Sequence, residues 1–203
     1  MKDEGKWPSV SWKLKGITAE MLDWWFCNLD KGFLLWHPKD HKGFEWIKKP
    51  VGHSVIGAIH VAPQVWDGNE ITPYIRWEDV SNLSDDLKGL LKYDHVLVAA
   101  CISLTEADFR EDNPPISYRI HQWEKTDFGV RGTSYAISLI PEAPETIKAW
   151  MKHSREEMTN LGRFLPSLFK IWQVVKDPNA NPFFCFRIEH KGGKIRYAQQ
   201  AKS

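Results

Sequence analysis

Apolar residues recur every three to four positions in two stretches of the chain, which is the spacing of an amphipathic helix. The first stretch begins at Thr18, a residue type that commonly caps helix N-termini, and extends to about residue 30. The second occupies about 145–175. Because proline interrupts helices, Pro166 predicts two segments there, 145–163 and 166–175.

Between these helices, short apolar runs separated by turn residues predict strands. In one of them, alternation places Arg119, His121 and Trp123 on the same face, as a plausible wall of a cavity. The order of helices and strands predicts an α+β fold, in which an antiparallel sheet wraps around the long helix and encloses a ligand cavity. The predicted strands are 55–62, 71–77, 94–104, 116–124, 134–140 and 183–188, with a short helix at 84–91.

Composition narrows the class of protein. With 203 residues, we expect one domain over 1–203, with an arm at 1–16, the main body at 17–190 and a tail at 191–203. The formal charge of +1 comes from scattered basic residues, which argues against nucleic-acid binding. Three dispersed cysteines, no secretory signal and no apolar run long enough to span a bilayer indicate a cytoplasmic protein without membrane contact. Homo-oligomerisation stays open.

Aromatic residues are unusually abundant, with eleven tryptophans and ten phenylalanines. Such rings fill cores, and their flat faces also suit planar ligands. Both a large aromatic core and an aromatic-lined pocket are compatible with this composition.

The strongest candidate for chemistry is the pair His153 and Glu157, four residues apart in the second helical stretch. That spacing places both side chains on one helix face. A histidine and a carboxylate are two of the three protein ligands that an open catalytic zinc site requires. A solvated surface pair is the alternative. The remaining ligands could come from the metal-competent segment Trp36–His41.

Three features together resemble the diacetylphloroglucinol hydrolase and phloretin hydrolase family: the block from Ile17 to Phe26, the segment Trp36–His41, and the His153/Glu157 pair. The resemblance covers about 17–172. It implies a Bet v 1-like helix-grip catalytic domain over 17–190, in which a curved antiparallel sheet grips a long C-terminal helix around a central cavity. It also implies one Zn²⁺ per chain and hydrolysis of the carbon–carbon bond between an acyl group and a phenolic ring, a retro-Claisen reaction.

The resemblance further implies which residues hold the metal. His41 matches the family's first metal-binding histidine, and His153 and Glu157 match its helical pair. The family's fourth ligand is a glutamate, for which Gln64 is the nearest match in this chain. Three other residues compete with Gln64 for that position: His37, His60 and Glu70.

For the substrate, the resemblance implies a small aromatic ketone held by a histidine and a tyrosine, for which His121 and Tyr135 are the candidates. A histidine close to the metal ligands, but not itself bound to the metal, suits the protonation of the leaving ring, because the pKa of histidine lies near physiological pH. His37 is expected to brace the loop or to donate a hydrogen bond to a ligand. Phe33 stands where the family has an active-site tyrosine, and it has no hydroxyl group.

The leading hypothesis is therefore a zinc-dependent hydrolase of phenolic ketones. One alternative is a non-catalytic binder of aromatic or lipid-like molecules in a helix-grip cavity. Another is a metal-dependent lyase or cyclase that acts on a related polyketide. Mixed histidine and carboxylate ligation also suits manganese or iron, so the native metal stays open.

Overall fold

The computed structural model describes residues 7–174, 186–191 and 194–199. Two short 3₁₀ turns, Leu29–Lys31 and Val80–Asn82, accompany the regular elements. The helices are α1 (Ala19–Cys27), α2 (Phe33–Trp36), α3 (Asp85–Lys88) and α4 (Pro144–Val174). The strands are β1 (Ser9–Lys15), β2 (Glu45–Lys48), β3 (Ile59–Val61), β4 (Gln64–Trp66), β5 (Asn69–Ile71), β6 (Tyr74–Glu78), β7 (His95–Ser103), β8 (Ser117–Thr126), β9 (Gly129–Ser138), β10 (Phe186–Lys191) and β11 (Lys194–Gln199).

Seven strands form one antiparallel sheet in the order β1-β9-β8-β7-β6-β3-β2. The long helix α4 contacts β1, at one edge of this sheet, and β4, which follows β3 near the other edge. The sheet therefore bends around the helix, and α1 and α2 pack against the same helix. The predicted α+β arrangement of a curved antiparallel sheet and a long C-terminal helix is confirmed.

Helix α4 is continuous over 31 residues, so the predicted interruption at Pro166 is wrong. A proline ring clashes with the carbonyl group four residues earlier, which here belongs to Gly162. Gly162 is exposed, and no heavy atom lies within 4 Å of the position of a Cβ there. The neighbouring turns are anchored by Leu161 and Leu165, both fully buried. This packing keeps the helix intact across the proline.

The predicted N-terminal arm is also wrong in part, because residues 9–15 form the edge strand β1, which pairs with β9 along its whole length. Its side chains alternate between the core and solvent, with Val10, Trp12 and Leu14 buried. Such alternation is the pattern of a half-buried strand, and it was present in the sequence.

The C-terminal boundary also differs from prediction. Strands β10 and β11 pair as a separate two-stranded sheet, so the predicted tail at 191–203 contains a strand. The predicted strand 183–188 begins outside the described residues, and its described part continues to Lys191. Within the described part of the chain, no helix is long and apolar enough to cross a membrane.

Local signals predicted the first helix more accurately than the short strands. The Thr18 side chain accepts a hydrogen bond from the Met21 amide, as an N-cap does, and α1 ends at Cys27. The predicted strand 55–62 shortens to β3 because Gly57 adopts a φ of 81°. That conformation is a turn, so the extended backbone begins only beyond it.

Candidate functional site

A cavity of about 410 Å³ lies between α4 and the sheet. This volume falls in the range of small-molecule sites, roughly 300–1,000 Å³. Most of its wall is apolar and aromatic, and the polar groups are few. They are contributed by His60, Gln64, Cys101, Ser117, Arg119, His121, Ser138, Glu142, Thr146, His153 and Glu157.

Three donor atoms converge at one wall of this cavity, which His153 and Glu157 line, while the third residue, His41, is fully buried beside them. The Nε2 atoms of His41 and His153 lie 3.3 Å apart, and Glu157 Oε1 lies 3.1 Å from the first and 3.2 Å from the second. The edge of a tetrahedron of ligands around zinc, at bond lengths of 2.0–2.1 Å, is about 3.3 Å. The three atoms therefore fit one face of a zinc coordination sphere and leave a fourth position.

Two structural elements bring these donors together. His153 and Glu157 stand one turn apart on α4, as the spacing predicted. His41 lies in the segment after α2, where a β-bridge pairs its backbone with that of Gln64. All three side chains are buried, so the long helix and this loop meet at an enclosed site.

The outer hydrogen bonds of the two histidines orient them as metal ligands. His41 donates from Nδ1 to the Phe33 carbonyl at 2.7 Å, and His153 donates from Nδ1 to Asp40 Oδ2 at 2.9 Å. With a proton on each Nδ1, Nε2 is the nitrogen of each ring that remains for a metal, which would displace any proton held there. Metal-binding histidines in proteins almost always have such a second bond, often to a carboxylate.

The pKa values of the cluster reflect the close contact of its three ionisable groups. Burial opposes charge on His153, but the Glu157 carboxylate and the bond to Asp40 outweigh it and raise the His153 pKa to about 9. Burial likewise opposes charge on Glu157, yet the two histidines hold its pKa well below the usual range. Burial lowers the pKa of His41 against the pull of Glu157. The cluster thus favours a positive charge beside a buried carboxylate.

His37 lies behind this cluster and does not line the cavity, so its predicted catalytic role is not supported by its position. Its Nδ1 accepts from the Asp40 amide at 3.1 Å, and its Nε2 donates to Glu156 at 2.8 Å. Its ring stacks on His153 with centroids 4.4 Å apart. Potential metal-binding atoms of His37, Asp40 and His153 also lie within 4.8 Å of one another. Here they form a hydrogen-bonded brace that fixes the His153 ring.

The candidates for the fourth ligand fall in different places. Gln64 is buried beside His41, and its Oε1 accepts from the Trp66 indole at 2.8 Å, which leaves one lone pair on that oxygen. Glu70 lies exposed on β5, outside the cavity wall. Gln64 is the one of these two whose backbone pairs with His41, and its coordination of a metal stays a prediction.

His60 lines the cavity, but its hydrogen bond makes it a donor and not a metal ligand. The Trp77 indole, which can only donate, bonds to His60 Nδ1 at 3.2 Å. Burial lowers the pKa of His60 to about 3, so the ring is neutral and its single proton lies on Nε2. The nitrogen that remains for the cavity therefore has an N–H group.

The hydrogen bonds of His121 also place its proton on Nε2, although here a serine lies between the histidine and a tryptophan. The Trp12 indole donates to Ser134 Oγ at 3.0 Å, and Ser134 Oγ lies 2.8 Å from His121 Nδ1. Ser134 is fully buried, and among the described residues His121 Nδ1 is the one acceptor within reach of its hydroxyl. The hydroxyl therefore donates to Nδ1, and the His121 proton lies on Nε2. Burial lowers the pKa of His121 to about 4, so it is neutral at pH 7. His121 can hold a substrate oxygen as a donor, but not as a charged acid.

The predicted substrate contact of Tyr135 is wrong. The inward-facing residue at this point of β9 is Ser134, and side chains alternate along a strand, so Tyr135 points to the other face. There it packs against the core that contains Ile120 and Ile137, outside the cavity wall.

Phe33, in place of the family's tyrosine, lies on the cavity wall and stacks on His41 with ring centroids 3.9 Å apart and an interplanar angle of 8°. It therefore fixes the plane of a metal-competent histidine by contact alone. It offers the cavity no hydrogen bond from its side chain.

Sequence reasoning missed the residues that set the state of each histidine: Asp40, Ser134, Trp12 and Trp77. Asp40 was visible in the metal-competent segment. The tryptophans gave no distinguishing signal, since each is one of eleven in the chain.

Comparison with known proteins identifies the fold. The ginseng (Panax ginseng) major latex-like protein 151 superposes with a TM-score of 0.51 over 76% of this chain and 95% of its own, at 8% sequence identity. Protein Ms6760 from Mycobacterium smegmatis gives a TM-score of 0.49 at 11% identity, over 77% of this chain and 88% of its own. Ara h 8.0201 gives 0.47 at 14% identity, over 78% and 97%.

The fold is therefore the helix-grip fold of Bet v 1-like proteins, a conclusion that rests on the ginseng protein and on the topology. No protein-family model and no curated protein matches the sequence. At this level of identity, structural likeness identifies the fold but not the activity.

Proposed function

We propose that this protein is a metal-dependent hydrolase that cleaves the carbon–carbon bond between an acyl group and a phenolic ring. The observation that carries the proposal is the His41/His153/Glu157 cluster, whose three donor atoms lie 3.1–3.3 Å apart and two of whose residues, His153 and Glu157, line an aromatic cavity. The sequence resemblance to phloroglucinol-type hydrolases supports the same reaction class.

In this reaction, water adds to the ketone carbon, the bond to the ring breaks, and the ring carbon takes up a proton. A bound zinc ion would lower the pKa of its water toward about 7 and polarise the ketone oxygen. His41, His153 and Glu157 would hold the ion, with Gln64 as the fourth candidate. The chain's own contribution beyond the metal is to orient the ring and exclude bulk water from the enclosed cavity.

His121 would orient the phenolic ring by donating from Nε2 to a ring oxygen. Because the ring of His121 is neutral, this bond does not require the phenol to be ionised. A developing negative charge on that oxygen would strengthen the bond, so the donor favours electron flow into the ring as the carbon–carbon bond breaks.

The test is metal content by mass spectrometry on purified protein and on the His153→Ala variant, followed by an assay of acylated phenols for carboxylic acid release. About one zinc per chain in the wild type, lost in the variant together with activity, supports the proposal. Absence of metal from protein produced with zinc supplementation contradicts it.

A second candidate is a non-catalytic binder of aromatic or lipid-like molecules. The fold itself favours this function, since the enclosed cavity of about 410 Å³ requires no metal to accept an apolar ligand. A binder would retain its affinity for a fluorescent aromatic probe in His153→Ala and would release no product from any acylated phenol.

A further inference from the structure

The wall of the cavity contains an arginine–glutamate pair that the metal chemistry does not use. Arg119 lies on β8, two residues before His121 and on the same face of the strand. Glu142 lies between β9 and α4. Among the described residues that line the cavity, Arg119 is the only lysine or arginine. Its surroundings there are mainly apolar.

Arg119 packs against the second turn of α4, which begins at Pro144. The Arg119 guanidinium carbon lies 5.2 Å from the centre of the Trp150 ring. Trp150 precedes His153 on α4 by three residues and Glu157 by seven, which is about 4.5 Å and about 10 Å along the helix axis. Along the helix, Arg119 therefore lies about one to two turns from the two helical members of the metal-competent cluster.

Hydrogen bonding leaves this pair with unused capacity. Arg119 Nη2 lies 3.4 Å from Glu142 Oε1, and Arg119 Nη1 donates to the Tyr118 carbonyl at 3.1 Å. A guanidinium group has five N–H donors, and the other three have no partner in residues 7–174. Glu142 also accepts from the Ser138 hydroxyl through its other oxygen. Donors and an acceptor thus stand side by side in a mostly apolar wall.

We propose that Arg119 and Glu142 form a subsite in the cavity wall for a neutral hydroxyl group on the ligand. A hydroxyl can accept from the guanidinium and donate to the carboxylate at once, which a ketone or a methyl group cannot. A ligand carboxylate is disfavoured, because Glu142 already neutralises Arg119 and would repel a second anion. The inference requires only that the cavity binds a ligand, so it holds for a hydrolase and for a binder alike.

The test uses three probes that differ at one position: 6-hydroxy-2-acetylnaphthalene, its 6-methyl analogue and its 6-carboxylate analogue. Binding to the EDTA-treated full chain is followed by calorimetry, so that no turnover occurs and the result is independent of the metal. We expect the hydroxyl probe to bind about 10-fold or more tightly than the methyl probe, as a hydrogen bond to a charged group provides. The carboxylate probe should bind most weakly.

Arg119→Met should reduce the hydroxyl preference over methyl to near unity, and Glu142→Gln should relieve the discrimination against the carboxylate. Arg131→Met is the matched control, since Arg131 forms an exposed ion pair with Glu124 outside the cavity wall. Equal affinity for all three probes in the wild type overturns the proposal, and so does tightest binding of the carboxylate. The comparison of the three probes on the wild-type protein tests the proposal even if Arg119→Met does not fold.

Discussion

Asp40 should be required for tight metal binding although it does not reach the metal position itself. Its Oδ2 accepts from His153 Nδ1 at 2.9 Å and lies 3.5 Å from His37 Nε2. In the wild type this bond fixes the His153 ring and increases the basicity of its Nε2. Asp40→Ala removes the bond and with it both effects. Loss of such an outer bond typically weakens metal affinity about 10- to 100-fold, which is about 1.4–2.7 kcal/mol.

The assay is a competition titration of zinc against a chromophoric chelator, on wild type, Asp40→Ala and the matched control Asp67→Asn. Asp67 pairs with Lys152 on the exposed side of α4, so its change removes a nearby carboxylate without touching the cluster. We expect a weaker affinity in Asp40→Ala and none of that loss in the control. Unchanged zinc affinity in Asp40→Ala, or an equal loss in both variants, would refute this account of His153.

Two further outcomes follow from the hydrogen bonds of the cavity histidines. Ser134→Ala removes the hydroxyl that donates to His121 Nδ1, so part of His121 should shift from the Nε2–H to the Nδ1–H tautomer. The ¹⁵N chemical shifts of the ring measure this, and an unshifted ring contradicts it. The folded-state pKa of His60, about 3, lies below its ordinary value of 6.5, so the unfolded chain binds the proton first and stability falls as pH drops below 6.5. The free energy of unfolding falls by about 1.4 kcal/mol per pH unit. Measured by urea unfolding between pH 6.5 and 5, the free energy of unfolding should fall less steeply with decreasing pH in His60→Gln than in wild type.

The metal-competent cluster illustrates what sequence can supply. The pairing of His153 with Glu157 follows from helical periodicity alone, since any intact helix places them together. Adding His41 required the family resemblance, because 112 residues separate it from His153 and no local rule spans such a distance. Burial of all three then follows from the fold.

The error at Tyr135 has a definite physical cause. A shift of one residue in a strand moves a side chain to the opposite face of the sheet. In β9 the polar and apolar residues do not alternate cleanly, because both faces are largely covered: Ser134 is fully buried on one side, and Ile137 is fully buried on the other. Because neither face of β9 is polar, the sequence does not show which of its residues face the cavity. The pairing of β9 with β8 determines this.

The four histidines of the cavity region differ in what bonds to Nδ1, and that difference assigns their chemistry. An acceptor at Nδ1 makes Nε2 the nitrogen that remains for a metal, as in His41 and His153. A donor at Nδ1 leaves a proton on Nε2, as in His60 and His121. The site therefore combines two nitrogens suited to metal binding with neutral N–H donors elsewhere in the cavity wall. A simple apolar binding cavity requires neither arrangement, and a site that holds a metal and orients an oxygen-bearing ring requires both.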